Sequence, residues 1–181
     1  MKIEYIGKCL LIERAGEHVL VIGDLHLGYE GAMRASGVMI PVKLYEKCVV
    51  DFDEIYNYIN SGINKENKLI DNVEGKRLVN GSHTGKDRGL GREIKRKKID
   101  KIIILGDVKH EFGMILQDEW NNIINFLEYL RERCYELVVI EGNHDAVLFP
   151  ILKKMGIVAS DYYLWKEFAF MHGDKEFKEI K

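Results

Sequence analysis

Apolar residues along this chain fall into two patterns, and the alternation between them predicts its class of fold. Runs at 19–22, 102–105 and 137–140 are β-branched and apolar throughout, as strands buried on both faces are. Other segments repeat every three or four residues. Leu44, Cys48, Phe52, Ile55 and Ile59 share one face of a helix predicted over 42–60, and Pro41 suits its first turn. Trp120, Ile123, Ile124, Leu127 and Leu130 do the same over 117–133. Residues 3–6, 9–13 and 18–22 read as short strands with a turn at Ala15-Gly16, and 162–165 and 167–171 as a tightly joined pair. A short helix over 145–155 is expected to break at Pro150. Strands alternating with helices predict an α/β fold with at least one largely parallel sheet.

The pattern lapses twice. Residues 23–41 are Gly-rich and aperiodic, which suits an active-site loop between strand and helix. Residues 61–99 read as a mobile basic insertion with room for a small hairpin, having only weak apolar spots at Leu69-Ile70 and Leu78-Val79. From Lys65 to Lys98 there are eleven basic and five acidic residues, so this flap carries +6 and the remainder −8 within a net charge of −2. A basic flap on an acidic body offers a route to nucleic acid that the total charge hides.

At 181 residues, 46% hydrophobic and 31% charged, the chain reads as a single soluble domain over 1–181. No apolar run approaches a membrane span, and Met1–Tyr5 begins no signal segment, so a cytoplasmic protein without a membrane partner is expected. Cys9, Cys48 and Cys134 are odd in number and widely spaced, reading as buried free thiols.

The candidate chemistry lies just past the predicted strands. Asp24-Leu25-His26-Leu27-Gly28 follows the first apolar run, Gly106-Asp107-Val108-Lys109-His110 the second, and Gly142-Asn143-His144-Asp145 the third. His172-Gly173-Asp174 follows a weaker run at 168–171. Read alone, each has a plain structural explanation: Asp24 and Asp107 as caps, His26 and His172 as satisfied polar groups. In series they bring carboxylates, imidazoles and an amide oxygen to neighbouring strand ends, the donor set of a two-metal phosphoester site. Asp107 is placed to bridge two cations. The Asn143 amide is a hard, neutral ligand, better suited to manganese, iron or magnesium than to structural zinc. His144 and His110 are better placed as a leaving-group acid and a phosphate donor than as ligands. Asp145 is expected to orient His144 through its other ring nitrogen. His18 and His83 have no such company, and Gly81–Lys86 is one residue short of a phosphate-binding P-loop.

Together these motifs resemble the calcineurin-like metallophosphoesterase superfamily over residues 1–60 and 100–174. The stretches from Asp24 to Glu30 and from Gly106 to Phe112 resemble, more narrowly, archaeal and bacterial phosphoesterases related to the nuclease subunit of double-strand-break repair complexes. The resemblance implies an α/β/β/α sandwich with mixed sheets and two divalent ions, commonly manganese, with iron, magnesium or zinc as alternatives. It implies Asp24, His26 and Asp107 on one ion, and Asp107, Asn143 and His172 on the other. His144 would be the catalytic acid, His110 a phosphate contact, and an activated hydroxide would attack phosphorus in line.

The superfamily's closing Gly-His-x-His motif has no counterpart here, since no histidine follows His172. The expectation is therefore a C-terminally incomplete sandwich in which each ion lacks one ligand. Two functional readings follow. One is a metal-dependent hydrolase of phosphodiesters, including nucleic acid, or of phosphomonoesters. The other is a truncated, weak or inactive relative that binds nucleic acid or a partner protein. The natural substrate and the oligomeric state are not legible in the sequence.

Overall fold

The computed structural model of the chain describes residues 1–39, 44–74, 97–110, 117–178 and 180. It divides into two compact units, residues 1–51 with 98–181 and residues 52–97. The first holds a six-stranded mixed sheet flanked by helices, with a small second sheet.

Strands β1 (Lys2–Ile6), β2 (Cys9–Arg14) and β3 (Glu17–Ile22) form an antiparallel meander, its second turn made by Ala15 and Gly16 in positive φ. From β3 the sheet continues in parallel through β4 (Ile99–Ile104), β5 (Cys134–Ile140) and β6 (Val158–Ser160). Strands β3 to β5 sit centrally in the order β1-β2-β3-β4-β5-β6, which is why their sequences are apolar throughout. Helix α3 (Gln117–Arg131) packs against β5 and α4 (Phe149–Lys154) against β6.

Strands β7 (Tyr162–Trp165) and β8 (Phe168–Met171) pair as the second sheet. Their Trp165 and Phe170 join Ile12, Val19, Val21, Ile103, Val138 and Ile140 in one buried cluster. Polar bonds seal the margin of that apolar interface. The Trp165 indole donates to Glu17 at 3.0 Å and the Tyr163 hydroxyl to Glu136 at 3.1 Å, while Lys101 is ion-paired with Glu136. A six-stranded mixed sheet flanked by helices, with β7 and β8 packed on its other face, is consistent with the α/β/β/α sandwich expected.

In the second unit, helix α2 (Leu44–Glu74) continues from Phe52, with Phe52 stacked on Tyr56. The Asn60 amide oxygen accepts from the Lys97 backbone N–H at 2.8 Å. The helix therefore runs well beyond residue 60, through the first part of the expected insertion. The hairpin, His83 and the Gly81–Lys86 segment fall outside the described residues.

Two local expectations need correction, and one strand was not anticipated. A short helix α1 (Tyr29–Ala35) interrupts the stretch read as aperiodic loop. Pro150 opens α4 instead of breaking it, because a first-turn N–H needs no partner. Strand β6 went unseen because three residues are too few to display a period.

Candidate metal centre

The parallel strands β3, β4 and β5 end side by side, and the loops leaving them are sewn together by backbone hydrogen bonds. The Asp107 carbonyl accepts from Leu25 at 3.2 Å and His26 at 2.9 Å. The Leu27 N–H donates to Val108 at 2.8 Å and the His110 N–H to Leu27 at 3.1 Å. The first two motifs thus form one short ladder that sets Asp24 and His26 opposite Asp107.

Two glycines make room for it. A Cβ on Gly106 would lie 2.8 Å from Gly142 and 2.8 Å from the His172 ring, and one on Gly142 would collide with Asp107. His26 and Asp107 themselves adopt positive φ, 45° and 47°. The other non-glycine residues of this kind among those described, Ala15 and Lys166, occupy hairpin turns. Side chains tolerate this conformation at a cost of about 1 kcal/mol or more, and such strain gathers where function requires it.

One carboxylate oxygen is the focus. Asp107, only 5% exposed, has its Oδ2 3.9 Å from His26 Nε2, 3.8 Å from His144 Nε2 and 3.6 Å from His172 Nε2. Its Oδ1 accepts the backbone N–H of His144 at 3.2 Å. Ligand atoms of Asp24, His26 and Asp107 all lie within 4.8 Å of one another, close enough for one ion. Asn143 joins them, its Oδ1 3.0 Å from His172 Nε2.

The hydrogen bonding of His172 tests whether a cation fits. Its Nδ1 meets the Leu105 carbonyl at 2.8 Å, an acceptor, so the proton belongs on Nδ1 and Nε2 presents a lone pair. That lone pair faces two further acceptors, Asn143 Oδ1 and Asp107 Oδ2. Nε2, Asn143 Oδ1 and Asp107 Oδ2 thus bring three lone-pair atoms to one small region, the grouping a cation needs. An imidazole anchored by a backbone carbonyl is also the usual support for a metal ligand. The donor set fits a divalent ion.

These residues are the ones that family resemblance would single out. The sequence profile of calcineurin-like phosphoesterases matches residues 17–180. The chain belongs to this family. Membership and the Asp24–His26–Asp107 group together assign a metal-dependent phosphoesterase, a hydrolase of phosphoesters. Among solved structures the chain is similar to a nuclease, MPE, from Pseudomonas putida, at 14% identity and a TM-score of 0.49, covering 94% of this chain and 68% of that one. No curated protein matches the sequence. Among the described residues, no helix of this phosphoesterase is long and apolar enough to cross a membrane.

The remaining candidates are also gathered here. His110 and His144 stack with ring centroids 6.2 Å apart, and each lies 5.4 Å from the His26 ring. The expected partnership between His144 and Asp145 is not what the phosphoesterase fold makes. His144 Nδ1 meets the His110 carbonyl at 2.5 Å. Asp145, fully buried, instead accepts backbone N–H groups from Val108 at 3.2 Å, Lys109 at 3.3 Å and Gly142 at 3.2 Å. It clamps the second and third loops together. Burial pushes its carboxyl above the usual range, and the three amide bonds oppose that shift. A residue one position past a histidine is easily read as its partner, whereas the amides it serves come from another strand end.

Proposed function

We propose that this chain hydrolyses phosphodiesters at a dinuclear centre, with manganese as the working metal. The observation that carries this reading is the convergence of three imidazoles on Asp107 Oδ2, with Asp24 within reach of it and Asn143 beside His172. Asp24 and His26 would hold one ion, Asn143 and His172 the other, and Asp107 both. Divalent cations at such a site acidify water and neutralise charge on phosphoryl oxygens. The neutral amide of Asn143 and the imidazoles favour manganese or iron over the harder magnesium.

His144 is the proton carrier in this scheme. Its Nδ1 faces the His110 carbonyl, and Nε2, which lies 3.8 Å from Asp107 Oδ2 at the centre of the site, is the nitrogen assigned to proton exchange with substrate. The cationic ring donates through Nε2 to the leaving oxygen and the neutral ring accepts there. His110, beside it, supplies a contact to the phosphoryl group. Asp145 holds the loops that carry both and takes no proton. Nucleic acid is the proposed substrate, the basic segment Lys65–Lys98 contributing attraction for its backbone. The free thiols Cys9, Cys48 and Cys134 support a reducing, cytoplasmic setting.

The test is hydrolysis of bis-p-nitrophenyl phosphate by the 181-residue chain with added manganese, beside Asp107→Asn. Manganese-dependent hydrolysis that disappears in the variant supports the reading. Stoichiometric manganese binding without hydrolysis would reject catalysis and favour a binding role for this chain.

A further inference from the structure

Tyr29 is the exposed end of an aromatic series that begins at a candidate ligand. Gly28, with φ at +95°, turns the chain after His26 and Leu27, and Tyr29 opens α1 with its N–H on the His26 carbonyl at 3.2 Å. Its ring is perpendicular to that of His110, with centroids 4.7 Å apart and planes at 88°. His110 in turn lies 5.4 Å from His26 and stacks with His144. Tyr29 keeps 37% of its surface open, close to the 36% of the His26 side chain, while His144 is more buried and the next residue, Glu30, turns inward.

Building on the phosphodiesterase reading, we propose that Tyr29 is a specificity-determining residue that receives a nucleobase beside the phosphoryl position. Three features argue for it. An open aromatic surface costs free energy in water, and here it stands one ring beyond the imidazole that would contact the phosphate. Its ring already packs at right angles against His110 and its N–H is bonded to His26, so ring and backbone are held in place before substrate arrives. A planar base stacks on such a ring whatever its sequence identity, whereas a bare phosphate or a sugar phosphate gains nothing from it. The preference predicted is for nucleotides over other phosphoesters, without discrimination among bases.

Calorimetric titration of the manganese-loaded chain with adenosine monophosphate and ribose monophosphate isolates the base, since the two probes differ only there. The wild-type chain is expected to bind the nucleotide about tenfold more tightly. Tyr29→Leu should bring the nucleotide down to the affinity of the sugar phosphate and leave the sugar phosphate unchanged, while Tyr29→Phe keeps the preference. Equal loss of both probes in Tyr29→Leu would mean that the ring only props His110, and would overturn the proposal. So would a wild-type chain with no preference for the nucleotide, or one that hydrolyses bis-p-nitrophenyl phosphate yet binds neither probe. Failure of the phosphodiesterase reading itself looks different, because no manganese-dependent hydrolysis would then be seen at all.

Discussion

The carboxylate of Asp107 occupies the space that a side chain on Gly142 would need. Asp107 leaves β4 and Gly142 leaves β5, so this contact sets how closely two of the site's loops approach. Gly142→Ala should push Asp107 out of line with His26 and His172. Manganese affinity is expected to fall by at least about tenfold, on the scale of a lost supporting contact. Titration with manganese checks it, and unchanged affinity would show that the loops can part without cost.

Asp145→Ala should act on stability before chemistry. It strips the acceptor from three buried N–H groups, a loss of about 2–4 kcal/mol even after the cost of a buried carboxylate is recovered. Urea denaturation of the metal-free chain is the measurement. A variant of wild-type stability that loses turnover alone would restore Asp145 as the orienting partner of His144.

Lys109 is fully buried, and its ammonium has no hydrogen-bond partner among the described residues. Such a group carries a desolvation cost without a compensating bond. Lys109→Met, of similar volume, should therefore be neutral or raise stability by about 1–3 kcal/mol. A clear fall in melting temperature would reveal an ion pair formed in solution.

Burial pushes the thiols of Cys9 and Cys134 up to about 11 from an ordinary value of 9.0. Raised acids stay neutral, so below pH 9 both thiols are protonated folded or unfolded, and their contribution to stability is fully present. It is lost as pH climbs from about 9 to about 11, where the unfolded chain ionises first. Native labelling by a disulfide reagent at pH 8 should be slow at both sites, its rate rising about tenfold per pH unit. Fast labelling at neutral pH would contradict their burial.

The candidate site is legible in outline because its first three motifs each directly follow an apolar strand. Val19 to Ile22, Ile102 to Leu105 and Leu137 to Ile140 announce buried parallel strands, and parallel neighbours bring their following loops to one edge. Asp24, Asp107 and Asn143 were therefore placed by local pattern alone. The partner of Asp145 was not, since its amides come from residues 108, 109 and 142. Nor was Tyr29, whose neighbour His110 lies on another strand end.

Periodicity and motif order in the sequence determined the alternation of strands and helices, the residues at their ends and the class of chemistry they support. Tertiary structure alone decided which oxygen the imidazoles share, which nitrogen of His144 and His172 meets a backbone carbonyl, and that Asp145 clamps loops instead of orienting a histidine. The division is physical. Secondary structure and strand-end position follow from interactions between residues a few places apart, whereas hydrogen-bond pairing at the site depends on loops that meet only when β3, β4 and β5 lie side by side.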